Sequence, residues 1–188
     1  MKRLALVLFA LAACGDNLQP PLQYTDPAPH TGKLRLVRNP RISTKYVVLD
    51  LVVGDAPLTG YSVGFDLPLD DTRVTLGDFT PSTALDPGTD PVAAKAVMPQ
   101  QGPLAHMLVT GLSQKAAGAG AATTDKDLKP GARLYSIQLD LVANAPAGIV
   151  FDGTASGFVL PSGGMRDRMG NAVVAPADVA IGKLEVTH

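Results

Sequence analysis

The sequence predicts an all-β protein built as an antiparallel β-sandwich, on three observations. Beyond residue 32, apolar and polar residues alternate with a period of two, which places one face of each segment in a core and the other in water. Only Glu185 is a glutamate among 17 acidic residues, so a strong helix former is almost missing, while 19 Gly and 16 Pro favour strands and loops. The alternating segments are separated by Gly, Pro and Asp, the residues that tight turns require.

Taken in order, residues 33–38 read as a short first strand, and 45–53 as a second that is richer in β-branched side chains. Residues 60–69 place Tyr61, Val63, Phe65, Leu67 and Leu69 on one face, with Ser62, Gly64, Asp66 and Pro68 on the other. After a turn at Asp70-Asp71, residues 73–76 continue the sheet, and 104–112 add a further strand. Residues 133–143 carry the longest clean alternation, followed by 148–151, 157–160 and 179–186. The total of about nine strands is that of a sandwich or jelly roll. Met165 to Val174 reads as a hairpin, because Gly170-Asn171 supplies positive-φ residues at its tip. Two stretches, 81–102 and 115–129, interrupt the pattern as insertions, serving as binding loops or as surface slack.

Ahead of the strands, Met1-Lys2-Arg3 and an apolar run ending in small residues have the layout of an export signal. The run is shorter than the roughly 20 residues a permanent bilayer span needs. It closes in Leu11-Ala12-Ala13-Cys14, which resembles the bacterial lipobox, implying cleavage between Ala13 and Cys14 and lipid on the Cys14 sulfur. Cys14 is the chain's one cysteine, so an internal disulfide is impossible. The expected organisation is a signal peptide over 1–13, a lipidated Pro-rich tether over 14–32 and one domain over 33–188. Gly15 follows the cysteine and the acid Asp16 comes one later. In enterobacterial sorting, aspartate directly after the cysteine retains a lipoprotein at the inner membrane, so the expected location is the cell envelope, at the outer membrane rather than the inner.

Without Lys2 and Arg3 the chain carries 14 basic against 17 acidic residues, a net of −3, with no charge block. Nucleic acid is therefore not an expected partner. His30 falls in the expected tether and His188 ends the chain, which leaves His106 as the histidine available to a site. A triad would need a nucleophile beside it; Ser113 and Ser136 are present but lack a nucleophile-elbow context. No zinc-type spacing exists, and no catalytic residue or metal ligand is assigned. Asp125 and Asp127 resemble the start of a calcium loop, but Leu128, Lys129 and Pro130 do not continue it, so no cofactor is expected. The candidate binding-loop residues are Asp70, Asp71, Asp86, Asp90, Asp125, Asp127, Arg166, Asp167 and Arg168; the commoner meaning of such residues is solvated turn aspartates that bond nearby backbone and an exposed charged hairpin.

Three segments, 60–70 (GYSVGFDLPLD), 130–152 (PGARLYSIQLDLVANAPAGIVFD) and 178–186 (DVAIGKLEV), resemble the cohesin-like domains. In that family an early strand ends near a Tyr-Asp-Pro turn, where this chain has Leu69-Asp70-Asp71. The resemblance covers roughly 33–186 and implies a nine-stranded jelly-roll sandwich without catalytic activity, related in shape to carbohydrate-binding modules. Cohesins bind dockerins through a sheet face, and no dockerin-contact motif transfers residue by residue. A bacterial immunoglobulin-like domain is the rival fold. The expected function is a lipid-anchored module presenting its sandwich to a protein. A glycan- or peptidoglycan-binding module is the alternative, although the chain has no Trp and four Tyr. An enzyme using His106 with loop carboxylates is the third reading.

Overall fold

The computed structural model of the chain describes residues 21–41, 43–88, 93–115 and 118–187. The expected signal peptide, with Ala13 and Cys14, lies outside the described residues, as do Asp90 and His188. In chain order the strands are β1 (Leu22–Thr25), β2 (Leu34–Arg38), β3 (Tyr46–Val53), β4 (Leu58–Gly60), β5 (Ser62–Pro68), β6 (Val74–Pro81), β7 (Ala94–Val97) and β8 (Met107–Ser113). They continue as β9 (Lys126–Leu128), β10 (Arg133–Leu141), β11 (Gly148–Asp152), β12 (Ser162–Arg166), β13 (Ala172–Val174), β14 (Val179–Ala180) and β15 (Lys183–Val186). A short 3-10 turn, Pro176–Asp178, is the one helical element among the described residues.

Two five-stranded sheets form the sandwich, in the orders β14-β2-β3-β10-β6 and β13-β12-β5-β8-β7. A third sheet, β1-β15-β11, and a ribbon, β4-β9, complete it. The pairing is antiparallel throughout except for β14 alongside β2. The alternation read from the sequence does what it predicts. In β5, Val63, Phe65 and Leu67 are buried while Ser62, Gly64 and Asp66 are only half-buried, and in β8 Leu108, Thr110 and Leu112 are buried in the same rhythm. Removal of such side chains from water supplies most of the drive to fold, at about 25 cal/mol per Å² of apolar area.

The sheets meet through aromatic rings. Tyr135 of β10 is fully buried, with its ring centroid 6.3 Å from Phe65 and 5.0 Å from Phe79. Its hydroxyl lies 2.8 Å from Thr110 Oγ1, so one hydrogen bond crosses the core from β10 to β8. Thr110 Oγ1 also accepts from Phe65 N–H at 3.1 Å and lies 3.2 Å from Phe65 O as donor. Burial pushes the Tyr135 phenol far above its ordinary range despite that bond, because a phenolate would be stranded in apolar surroundings.

Several expectations are corrected. The tether expected over 14–32 is not a tether throughout: Leu22–Thr25 is a strand paired with β15, and Leu22 and Tyr24 are buried. Tyr24 Oη donates to Leu36 O and accepts from Gly182 N–H, which ties this strand into the body. The strand expected over 157–160 is irregular chain, since Gly157 has φ +80° and only Leu160 is buried there. The strand expected over 179–186 is broken at Ile181 and Gly182, where β14 leaves β2 and β15 joins β1 and β11. The insertions 81–102 and 115–129 each contain a strand, β7 and β9. Short pieces of this kind make the described strands more numerous than about nine.

Candidate functional site

The outward face of the β13-β12-β5-β8-β7 sheet holds an open cleft of about 520 Å³, lined by residues of β12, β5, β8 and β7. Its shape follows from strand register. Gly164 of β12 stands opposite Gly64 of β5, Gly64 opposite Gly111 of β8, and Gly111 opposite Lys95 of β7. Three adjacent strands thus carry no side chain along one line; backbone at Gly64 and Gly111 floors a trough, while Gly164 is buried against the carbonyl of Val174. On one side runs the row Arg166, Ser62 and Ser113; on the other runs Ser162, Asp66, Val109 and Val97. Ser162 Oγ donates to Asp66 Oδ2 at 2.6 Å.

The glycines are required for different reasons. A Cβ on Gly64 would collide with the carbonyl oxygen of Thr110, and Gly164 adopts φ +98° with Val174 O against it. A Cβ on Gly111, by contrast, would meet nothing within 4 Å and would point into the trough. The trough is therefore part structural necessity and, at Gly111, open space. Its walls offer a cation at Lys95, a guanidinium at Arg166 and a carboxylate at Asp66, with hydroxyls between them. Such a surface suits close approach of another polypeptide backbone flanked by polar contacts.

Of the residues the sequence singled out, most gather at the end of the sandwich where β5 begins. Asp167 closes the hairpin tip by accepting from Asn171 N–H and Asn171 Nδ2, both at 2.8 Å. The amide of Asn171 holds the Asp167 carboxyl below the usual carboxylate range, against a weaker opposing effect of desolvation. Arg166 Nη1 donates to Gly170 O at 2.8 Å across the same tip. Asp125 accepts from Arg168 N–H at 2.7 Å and Asp127 from Thr59 Oγ1 at 2.8 Å, so the first carboxylate binds the hairpin to the loop before β9 and the second joins β4 to β9 itself. Asp86, at φ +50°, contributes its carbonyl to Lys115 N–H on the neighbouring loop.

Asp70 and Asp71 lie at the opposite end and do not converge. Asp70 accepts from Thr72 N–H at 3.0 Å and pairs with Arg73, whereas Asp71 Oδ1 lies 2.9 Å from His106 Nδ1. His106 thus has a carboxylate partner, but Ser113 is at the far end of β8, about 20 Å away at 3.3 Å per residue. Ser136 Oγ donates to Asp50 in the other sheet. Among the described residues no group of three or more His, Cys, Asp or Glu is arranged to hold a metal ion.

The sequence reading missed the trough residues Gly64, Gly111, Gly164, Ser62, Ser113 and Lys95 as a site. The available signal was a glycine inside each of two alternating strands, which marks close backbone approach. No protein-family model matches the chain. No curated protein sequence matches it either. Solved structures are similar to the chain, three of them as follows. CaCohA2 from Clostridium acetobutylicum in solution is 15% identical, with 82% of this chain and 92% of that one covered and a TM-score of 0.46. CaCohA2 in a CaDoc0917 complex is 14% identical, with coverage of 88% and 98% and a TM-score of 0.47. The seventh ScaB type I cohesin from Pseudobacteroides cellulosolvens is 10% identical, with coverage of 88% and 90% and a TM-score of 0.43.

Proposed function

We propose that this protein is a non-catalytic cell-envelope module, anchored by lipid on Cys14, that binds a protein partner across the trough of the β13-β12-β5-β8-β7 sheet. The observation that carries the reading is the glycine line Gly164-Gly64-Gly111, which leaves partly exposed backbone at Gly64 and Gly111 between walls that carry Lys95, Arg166, Asp66 and three serines beside Val97 and Val109. The anchor rests on the Leu11-Ala12-Ala13-Cys14 motif, and Gly15 directly after the cysteine favours the outer membrane. A protein is favoured over a glycan because Phe65, the one aromatic among the described residues lining the cleft, is buried and offers no ring for a sugar to stack on. No cofactor is needed for binding of this kind.

The test is a native pull-down from the envelope of the source organism, with wild-type protein and Gly111→Trp as baits. Recovery of a protein by wild type and its loss with Gly111→Trp supports the reading, provided both baits melt at the same temperature. Equal recovery by both refutes the trough as the surface. No retained protein, together with retention of envelope polysaccharide on an affinity gel, transfers the function to glycan binding.

A further inference from the structure

We infer that the anchored protein stands with the end bearing Asp71 and His106 toward the bilayer, and holds the end bearing the β12–β13 hairpin away from it. This rests on the proposed lipid anchor at Cys14 and extends it to a membrane-facing surface.

The argument begins where the described chain begins. Pro21 O accepts from Thr187 N–H at 2.7 Å, and Leu22 stands opposite Val186, which stands opposite Gly148 on its other side. Gly148 abuts the guanidinium of Arg73, and Arg73 Nε donates to Pro146 O at 3.1 Å. Arg73 lies two residues beyond Asp71, whose carboxylate meets His106. The point where the chain enters the body is thus fixed at the Asp71–His106 end. The expected tether ran to residue 32, and the pairing of β1 leaves only the stretch from Cys14 to Pro21 ahead of the body.

That stretch is seven residue steps, which reach about 25 Å at the most, at up to about 3.6 Å each. The body is longer. Strand β5 alone, from Ser62 beside the hairpin to Pro68 beside the Asp70-Asp71 turn, spans about 20 Å at 3.3 Å per residue. The hairpin tip at residues 167–170 projects beyond Ser62, and the turn projects beyond Pro68, so the ends lie more than about 30 Å apart on the same rise per residue. A leash shorter than the body cannot let the hairpin end rest on the bilayer while Pro21 stands above it. Arg41 and Lys45, exposed near the start of β3 at the lower end, offer cations to anionic headgroups. The trough, which crosses the strands, is then open to the side.

The experiment places a nitroxide on Gln101→Cys, in the exposed loop that leads to His106, or on Met169→Cys, at the hairpin tip where Met169 is 80% exposed. Full-length lipidated protein is bound to vesicles of phosphatidylcholine and phosphatidylglycerol that carry a nickel-chelating lipid. Relaxation enhancement by the nickel is expected to be several-fold greater at position 101 than at 169. Equal enhancement, or more at 169, in protein that floats with the vesicles overturns the orientation and leaves the anchor standing. Protein that fails to float and shows a bare Cys14 thiol by mass spectrometry overturns the anchor, and the orientation with it.

Discussion

Gly64 and Gly111 face each other across β5 and β8, yet alanine at the two positions is expected to act in opposite directions. At Gly64 the added methyl would overlap Thr110 O and approach Gly111 Cα to 3.1 Å, both backbone atoms held in the ladder. Backbone cannot yield as a flexible side chain does, so the strands must separate locally, at a cost of about 1–3 kcal/mol typical of overpacking. At Gly111 the methyl meets nothing within 4 Å. Alanine there restricts the unfolded chain more than the folded one and should stabilise by about 0.5–1 kcal/mol. In urea, with an m-value of about 2 kcal/mol/M, the midpoint should fall by roughly 0.5–1.5 M for Gly64→Ala and rise by a few tenths for Gly111→Ala. Gly111→Trp should remain folded while filling the trough, which separates binding from stability. A Gly64→Ala protein as stable as wild type, or a Gly111→Ala protein losing more than about 1 kcal/mol, would show that the line of bare backbone is not arranged as described.

Thr110→Val is expected to cost about 2 kcal/mol, because it leaves the buried Tyr135 hydroxyl without its Thr110 partner, and Tyr135→Phe about 1 kcal/mol, because Thr110 keeps its contacts with Phe65; the two costs should fall well short of additive in a double-mutant cycle. Leu22→Ala should destabilise by about 2–3 kcal/mol in thermal or urea unfolding, a loss that a free tether would not show. Asp167 has a depressed carboxyl value, so its contribution to the hairpin is present above the unfolded value near about pH 4 and is lost as the pH falls through the lower folded value. The protection factor of the Asn171 amide, taken against the intrinsic exchange rate at each pH, should therefore be higher at neutral pH than in acid, and Asp167→Asn should abolish that pH response.

How much was legible in the sequence depends on the range of each signal. Alternation in 60–69 and 133–143 is local, so the strands and their inward residues could be read without knowing their neighbours. The hairpin at Met165 to Val174 was equally legible, since Asp167, Gly170 and Asn171 close it within a few residues. Strand β1 was not. Its partner β15 lies at the other end of the chain, and four residues between prolines carry too little alternation to stand out. The gathering of Asp125, Asp127, Arg166, Asp167 and Arg168 at one end, with Asp70 and Asp71 at the other, likewise needed the path of the chain.

The sequence by itself determined the fold class and which side chains point inward, because a two-residue period and the scarcity of helix formers act within each segment. It also supplied the lipobox-like motif at Cys14, a linear signal that needs no fold. Only the tertiary structure decided that Gly164, Gly64 and Gly111 share one line, because registering three strands depends on contacts between residues far apart in the chain. The same long-range pairing, Leu22 against Val186, decided at which end of the sandwich the described chain enters the body.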